Sequence, residues 1–395
     1  MRSEGAAETH SEGAPRLAVK RIVLSQFRSY AASELAISGR SVVLAGPNGA
    51  GKTNLLEAIS LLSPGRGLRG ASLGDHVRKG PADANATALW AVAATIARGA
   101  QSYDFGTGLV QTAGGVERRQ MHLNGAPLTQ TSEIAELLQM VWLTPAMDRL
   151  FVEGASGRRR FLDRLVLGFD PAHARRSSRY ETAMRERMRL LKLGPRDPVW
   201  LDGLENEMVE TGVAIARARA ETVERLSRAL VSRGTAGAFP CAHLSLAGDA
   251  DALLAEYGDR TGDEFRSRFA KARMRDAEAR RTTFGPHTSD LSVRHTEKRM
   301  DAAQCSTGEQ KALLISIVLA DAWELTRRRE GLAPLLLLDE VAAHLDAHRR
   351  GSLFEEIRAL GAQAWMTGTD LSLFEGMNQS ADVLLVNAGT FMRQN

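Results

Sequence analysis

The chain has 395 residues, 44% of them hydrophobic and 25% charged, with a formal net charge of +4 and a pI near 9.2. That length exceeds one small core and suits two or three domains of an ordinary soluble globular protein. No uninterrupted apolar run reaches the roughly 20 residues that cross a bilayer. Two cysteines, Cys241 and Cys305, exclude a disulfide framework or a zinc cluster, so buried thiols in a reducing cytoplasm are expected.

Residues 1–15 are small, polar and glycine-containing, without the apolar stretch of a secretory signal, and predict a disordered tail. Residues 21–27 partly alternate and predict an early strand. Residues 41–45, Ser-Val-Val-Leu-Ala, predict a buried strand leading into Gly46-Pro47-Asn48-Gly49-Ala50-Gly51-Lys52-Thr53. This octet fits G-x-x-x-x-G-K-S/T, in which backbone N–H groups curl round phosphate oxygens, the lysine neutralises charge and the hydroxyl binds Mg²⁺. Residues 54–59 carry the apolar spacing of a helix whose N-terminal dipole would face those phosphates. The competing reading is a glycine-rich turn with an ordinary solvated lysine. Strand, loop and helix in succession favour a nucleoside triphosphate.

Short β-like runs at 88–96, 103–109 and 120–123, with an Asn124-Gly125 turn, predict antiparallel sheet beside a parallel core. From 132 to 281 helical patterns dominate. Phe161, Leu162, Leu165, Val166 and Phe169 recur at helical spacing, and 204–232 predicts a long helix without a sustained heptad, hence a compact insert rather than a coiled coil. Basic residues crowd here: Arg158, Arg159, Arg160, Arg175, Arg176, Arg179, Arg185, Arg187, Arg189 and Lys192. Such a run suits nucleic-acid phosphates. Pairing with Glu181, Glu186, Glu205 and Glu207 on solvated helices is the alternative.

At Thr283-Phe284-Gly285-Pro286-His287 turn chemistry returns. Cys305-Ser306-Thr307-Gly308-Glu309-Gln310-Lys311 then opens an apolar helix whose start offers N–H groups to a phosphate. Ser306 with Glu309 equally fits a capping box. Residues 334–340, Pro-Leu-Leu-Leu-Leu-Asp-Glu, read as a fully buried parallel strand with acids at its C-terminal end. The expected fold is α/β, a phosphate-loop domain with a mixed sheet. Its N-terminal part spans 16–131, its C-terminal part 282–395, and a helical domain is inserted at 132–281.

These segments resemble the ATPase head of the ATP-binding cassette superfamily: Walker A at 46–53, the signature at 306–310, Walker B at 335–340 and the D-loop position at Asp346. The signature departs from Leu-Ser-Gly-Gly-Gln at Cys305, Thr307 and Glu309, and Thr367-Gly368-Thr369-Asp370 stands where a transporter subunit has its switch histidine. A transporter sets its signature far closer behind Walker A than here, where Lys52 and Ser306 are about 250 residues apart. The chromosome-structuring relatives need far longer inserts.

The short-insert branch that remains is the RecF family of bacterial recombination mediators. Phe27-Arg28-Ser29-Tyr30, Pro64-Gly65-Arg66-Gly67-Leu68-Arg69, and Gly154 followed by Arg158-Arg159-Arg160-Phe161-Leu162-Asp163 are similar to its motifs. Gly285-Pro286-His287-Thr288-Ser289-Asp290-Leu291 is similar as well, departing at Thr288 and Ser289.

The resemblance implies ATP and Mg²⁺ as ligands. Lys52, Asp339 and Glu340 would be catalytic. Gly46, Pro47, Asn48, Gly49, Ala50, Gly51, Lys52, Thr53, Ser306, Gly308 and Asp346 would contact nucleotide, with Thr53 and Asp339 serving the metal. Arg158, Arg159, Arg160, Arg175 and Arg176 would meet DNA. It also implies an ATP-dependent homodimer on double-stranded DNA at single-strand gap junctions, weak DNA-dependent hydrolysis, and RecR and RecO as partners in recombinase loading. The alternative is an ATP-driven mechanical DNA translocase or another ABC-type ATPase.

Overall fold

The structure is a computed structural model that describes residues 16–79, 89–111, 115, 117–128, 132–193, 198–233, 237–377 and 379–394. The stretch 1–15, expected as a tail, lies outside the described residues. Two compact units emerge: residues 1–129, 326–336 and 354–395 form one, and 130–325 with 337–353 the other. Within the second unit, Arg158 pairs with Asp290 at 2.8 Å.

In the first unit, Leu17–Phe27 is the hub of an antiparallel sheet. It pairs with Tyr30–Ala36 on one side and Trp90–Arg98 on the other. Gln101–Gln111, Glu117–Leu123 and Ala126–Pro127 continue the sheet. Ile22, Leu24 and Phe27 are buried while their neighbours are less so, as a sheet with one covered face requires. The parallel part is centred on Ser41–Ala45, buried throughout, between Ala364–Gly368 and Ala381–Asn387. Thr390–Arg393 adds an antiparallel edge. Leu336 donates its N–H to the Gln363 carbonyl at 3.0 Å, joining the leucine run to this sheet.

Helices Ala155–Phe169, His173–Leu193, Pro198–Arg233 and Thr261–Ala279 dominate the second unit. Their core includes Tyr180, Met208, Ile215, Phe265, Phe269 and Phe284. Arg187 lies inside it, fully buried, 2.8 Å from Glu205 and 2.7 Å from Asp276. A strand that the helical reading did not anticipate, Ala242–Ala247, pairs antiparallel with Asp290–His295. Its side chains alternate too briefly between helices to announce a sheet. Met140–Leu143 and most of the helix Thr307–Arg328 also belong to this unit. Among the described residues, no helix is long and apolar enough to cross a membrane.

Candidate nucleotide-binding and nucleic-acid residues

The phosphate loop joins Ser41–Ala45 to the helix Lys52–Ser60 in the first unit. Gly46 sits at φ 150°, and a Cβ there would meet the Val386 carbonyl oxygen at 2.2 Å, so only glycine fits. Pro47, Asn48 and Gly49 form the exposed crest, whereas Ala50, Gly51 and Lys52 are buried. Lys52 Nζ folds back to donate to the carbonyls of Gly46, 2.7 Å, and Pro47, 2.9 Å. This puts an ammonium within the curl of the loop. Gly51, the N-cap, has a left-handed conformation and no side chain with which to close the helix start, and an α-helix leaves its first N–H groups without intrahelical partners. A glycine cradle, a buried lysine and an uncapped helix start, with Thr53 at the second helical position, fit a triphosphate and its Mg²⁺.

Neighbouring residues brace the loop. Gly46 donates its N–H to the Gly368 carbonyl, 3.3 Å, so the Thr367-Gly368 segment supports the loop through backbone. Tyr30 donates its hydroxyl to the Gly51 carbonyl, 2.9 Å, and burial pushes that phenol well above its ordinary pKa. Asn54 donates to Ser29 Oγ, 3.0 Å, and accepts from Arg69, 3.0 Å. Glu57, fully buried on the same helix, takes both ends of Arg28 at 2.9 Å and Arg69 at 3.1 Å. Burial lowers the His76 pKa, against the opposing pull of the Glu57 carboxylate. The Phe-Arg-Ser-Tyr motif was visible in the sequence, but not this bracing, because its carboxylate partner lies 29 residues away from Arg28.

The acids belong to the second unit. Asp339 is buried and donates its N–H to the Leu143 carbonyl, 2.9 Å, while Glu340 is partly exposed. Glu340 holds φ 53°, a left-handed conformation rare for a residue with a side chain. Such outliers concentrate at functional sites. Asp346 is exposed and accepts the Arg349 N–H at 2.8 Å, which holds its carboxyl below the ordinary range.

Ser306 and Glu309 form the reciprocal cap that the sequence allowed. The Ser306 N–H meets Glu309 Oε2 at 3.0 Å, and the Glu309 N–H meets Ser306 Oγ at 3.4 Å. Lys298 pairs with the other carboxylate oxygen of Glu309. That pairing and the cap lower the Glu309 pKa to about 2. Ser306, Thr307 and Gly308 are exposed, and a Cβ at Gly308 would meet nothing within 4 Å.

The arginines divide sharply. Arg158 is held by Asp290 through two 2.8 Å bonds, Arg159 donates to the Ser289 carbonyl at 2.8 Å, and Arg176 is bonded to Asp170. Arg179 pairs with Glu207 and Arg189 with Glu186, so part of the basic run is internally neutralised. Arg187, buried in the core, is removed from any surface role. Arg160 and Arg175 are exposed, and no ion pair engages either among the described residues. Both cysteines are free and buried, as expected.

Residues 18–391 match the family model of the RecF/RecN/SMC N terminal domain. The DNA replication and repair protein RecF of Agrobacterium fabrum is 49% identical over 374 residues, covering 95% of this chain and 98% of that protein. Its namesake in Mesorhizobium japonicum is 48% identical over 373 residues, covering 94% and 97%. Among solved structures, the ATP form of the recombination mediator protein RecF in the RecFOR pathway matches with a TM-score of 0.82 at 22% identity, covering 98% of this chain and 100% of that one. An Smc head domain from Pyrococcus furiosus matches at 0.51 and 17%, covering 96% of both. The fold is thus that of an ABC-type ATPase head with a helical insert, and the chain belongs to the RecF family of DNA replication and repair proteins.

Proposed function

We propose that the chain is an ATP-gated DNA clamp that assists recombinase loading at single-strand gaps, with RecR- and RecO-type partners, in the cytoplasm. The observation that carries this reading is the phosphate loop, where Lys52 and the glycine cradle prepare a helix start for a triphosphate. The loop residues 46–53 hold the nucleotide, Thr53 and Asp339 are assigned to Mg²⁺, and Asp346 contacts nucleotide from the D-loop. Glu340 orients and deprotonates the attacking water. ATP supplies the terminal phosphate that a second copy recognises through Ser306 and Gly308. Two chains therefore close on two nucleotides, and slow hydrolysis releases them.

The exposed Arg160 and Arg175 support a duplex-binding face, since phosphate neutralisation gives sequence-independent, salt-sensitive affinity. Sedimentation with ATP should give dimer for the wild type and monomer for Ser306→Arg. A persistent ATP-induced dimer of the variant would remove the shared site. In filter binding, duplex retention should need ATP and fall with salt, and Arg160→Ala with Arg175→Ala should weaken it about tenfold. Retention indifferent to ATP would contradict the clamp.

A further inference from the structure

This inference rests on the reading above, in which the start of the helix Thr307–Arg328 receives the terminal phosphate of a nucleotide held by a second copy. That start carries an awkward charge. Glu309 places its carboxylate on the Ser306 N–H, 3.0 Å away, among the groups a phosphate would seek. Two anions at one helix start repel each other, and the repulsion grows as an interface excludes water. The fold answers with Lys298, whose ammonium is bonded to the opposite carboxylate oxygen.

Lys298 is supplied by the turn between the strands Asp290–His295 and Met300–Asp301. Its backbone N–H reaches His295 Nδ1 at 3.4 Å. Arg294 fixes the same turn by donating to the Arg299 carbonyl, 2.8 Å, and approaching Asp301 at 3.3 Å. The lysine is therefore delivered from a held backbone, although its side chain is about half exposed. A half-exposed ion pair adds little to stability, so its value lies elsewhere.

We propose that Lys298 is a positioning residue for the shared nucleotide site: it neutralises Glu309 and keeps it in the cap, so that the exposed start at Ser306, Thr307 and Gly308 meets an incoming phosphate without net repulsion. Glu309 alone would hold the helix start closed to anions. With Lys298 it becomes a neutral cap that a phosphate can share or displace.

The test is ATP-induced dimerisation, followed by sedimentation across an ATP series with Mg²⁺, for the full chain. Lys298→Ala should raise the ATP concentration at half-dimerisation about tenfold, equivalent to about 1.4 kcal/mol, with an unchanged Tm. Lys298→Arg should behave like the wild type. Lys298→Ala combined with Glu309→Gln should recover most of the loss, because the repelling charge has gone; a merely structural lysine would show no such rescue. A wild-type chain that stays monomeric at saturating ATP would overturn the shared site and this role with it. A dimerising wild type with an unaffected Lys298→Ala, or a double variant no better than the single, would overturn the role of Lys298 alone.

Discussion

Two helices in this chain to which the proposed function assigns phosphate contacts begin in opposite ways. Lys52–Ser60 starts from Gly51, with no capping side chain and no acid in its first turn. Thr307–Arg328 starts from Ser306, with Glu309 in its first turn and a reciprocal cap. An uncapped start suits a ligand that stays, since its N–H groups are costly to leave unmet. A start that satisfies itself suits a ligand that comes and goes, because the chain is content without it. On the proposed reading, holding a nucleotide and sensing it use the same kind of element, one beginning with a glycine and the other closed by a glutamate.

Removing the charge that completes the open start should have the largest effect. Lys52→Ala is expected to weaken ATP binding at least about 100-fold, about 2.7 kcal/mol, which calorimetry with ATP and Mg²⁺ would measure. Retained affinity would mean that the loop works through backbone alone. Closing the open start should come next. Gly51→Ser forces a side chain into φ 110°, with its Cβ 2.9 Å from the Tyr30 hydroxyl, and should destabilise the chain by roughly 2 kcal/mol while lowering ATP affinity. Denaturant melts of the variant, with and without ATP, separate the two losses.

Opening the closed start should do less. Ser306→Ala removes one side of the cap and is expected to cost about 1 kcal/mol, with ATP binding to the monomer unchanged in the same calorimetric assay. Acid should probe the capped start most gently. The Glu309 carboxyl falls from its ordinary 4.5 to about 2, so its contribution is complete above the unfolded value and is lost as pH drops from 4.5 through 2. Carboxyl chemical shifts should follow that low titration, and a midpoint near 4.5 would show that the cap and Lys298 do not hold it.

The open start was legible in the sequence almost residue for residue. The strand Ser41–Ala45 is buried throughout and apolar from Val42 on, the glycines are forced by backbone geometry, and both signals are local. The leucine run Leu335–Leu338 was equally plain. The Ser306 and Glu309 cap was visible as one of two readings, because capping is also a local pattern. What stayed hidden depends on partners distant in sequence. Arg187 looks like its surface neighbours until Glu205 and Asp276 close around it. Arg28 and Arg69 share Glu57 across 29 and 12 residues, and Lys298 gains meaning only when a turn swings it onto Glu309. Charge can be counted from sequence, but its neutralisation requires the fold.

The burial of Cys241 and Cys305, each 6% exposed, has a practical side. Burial also raises the Cys305 thiol above its ordinary pKa, leaving it a poor nucleophile towards maleimides. A cysteine introduced at the exposed Arg160 would therefore take a fluorophore almost alone. The proposed closing of two chains could then be followed by energy transfer in a protein that keeps both of its natural thiols.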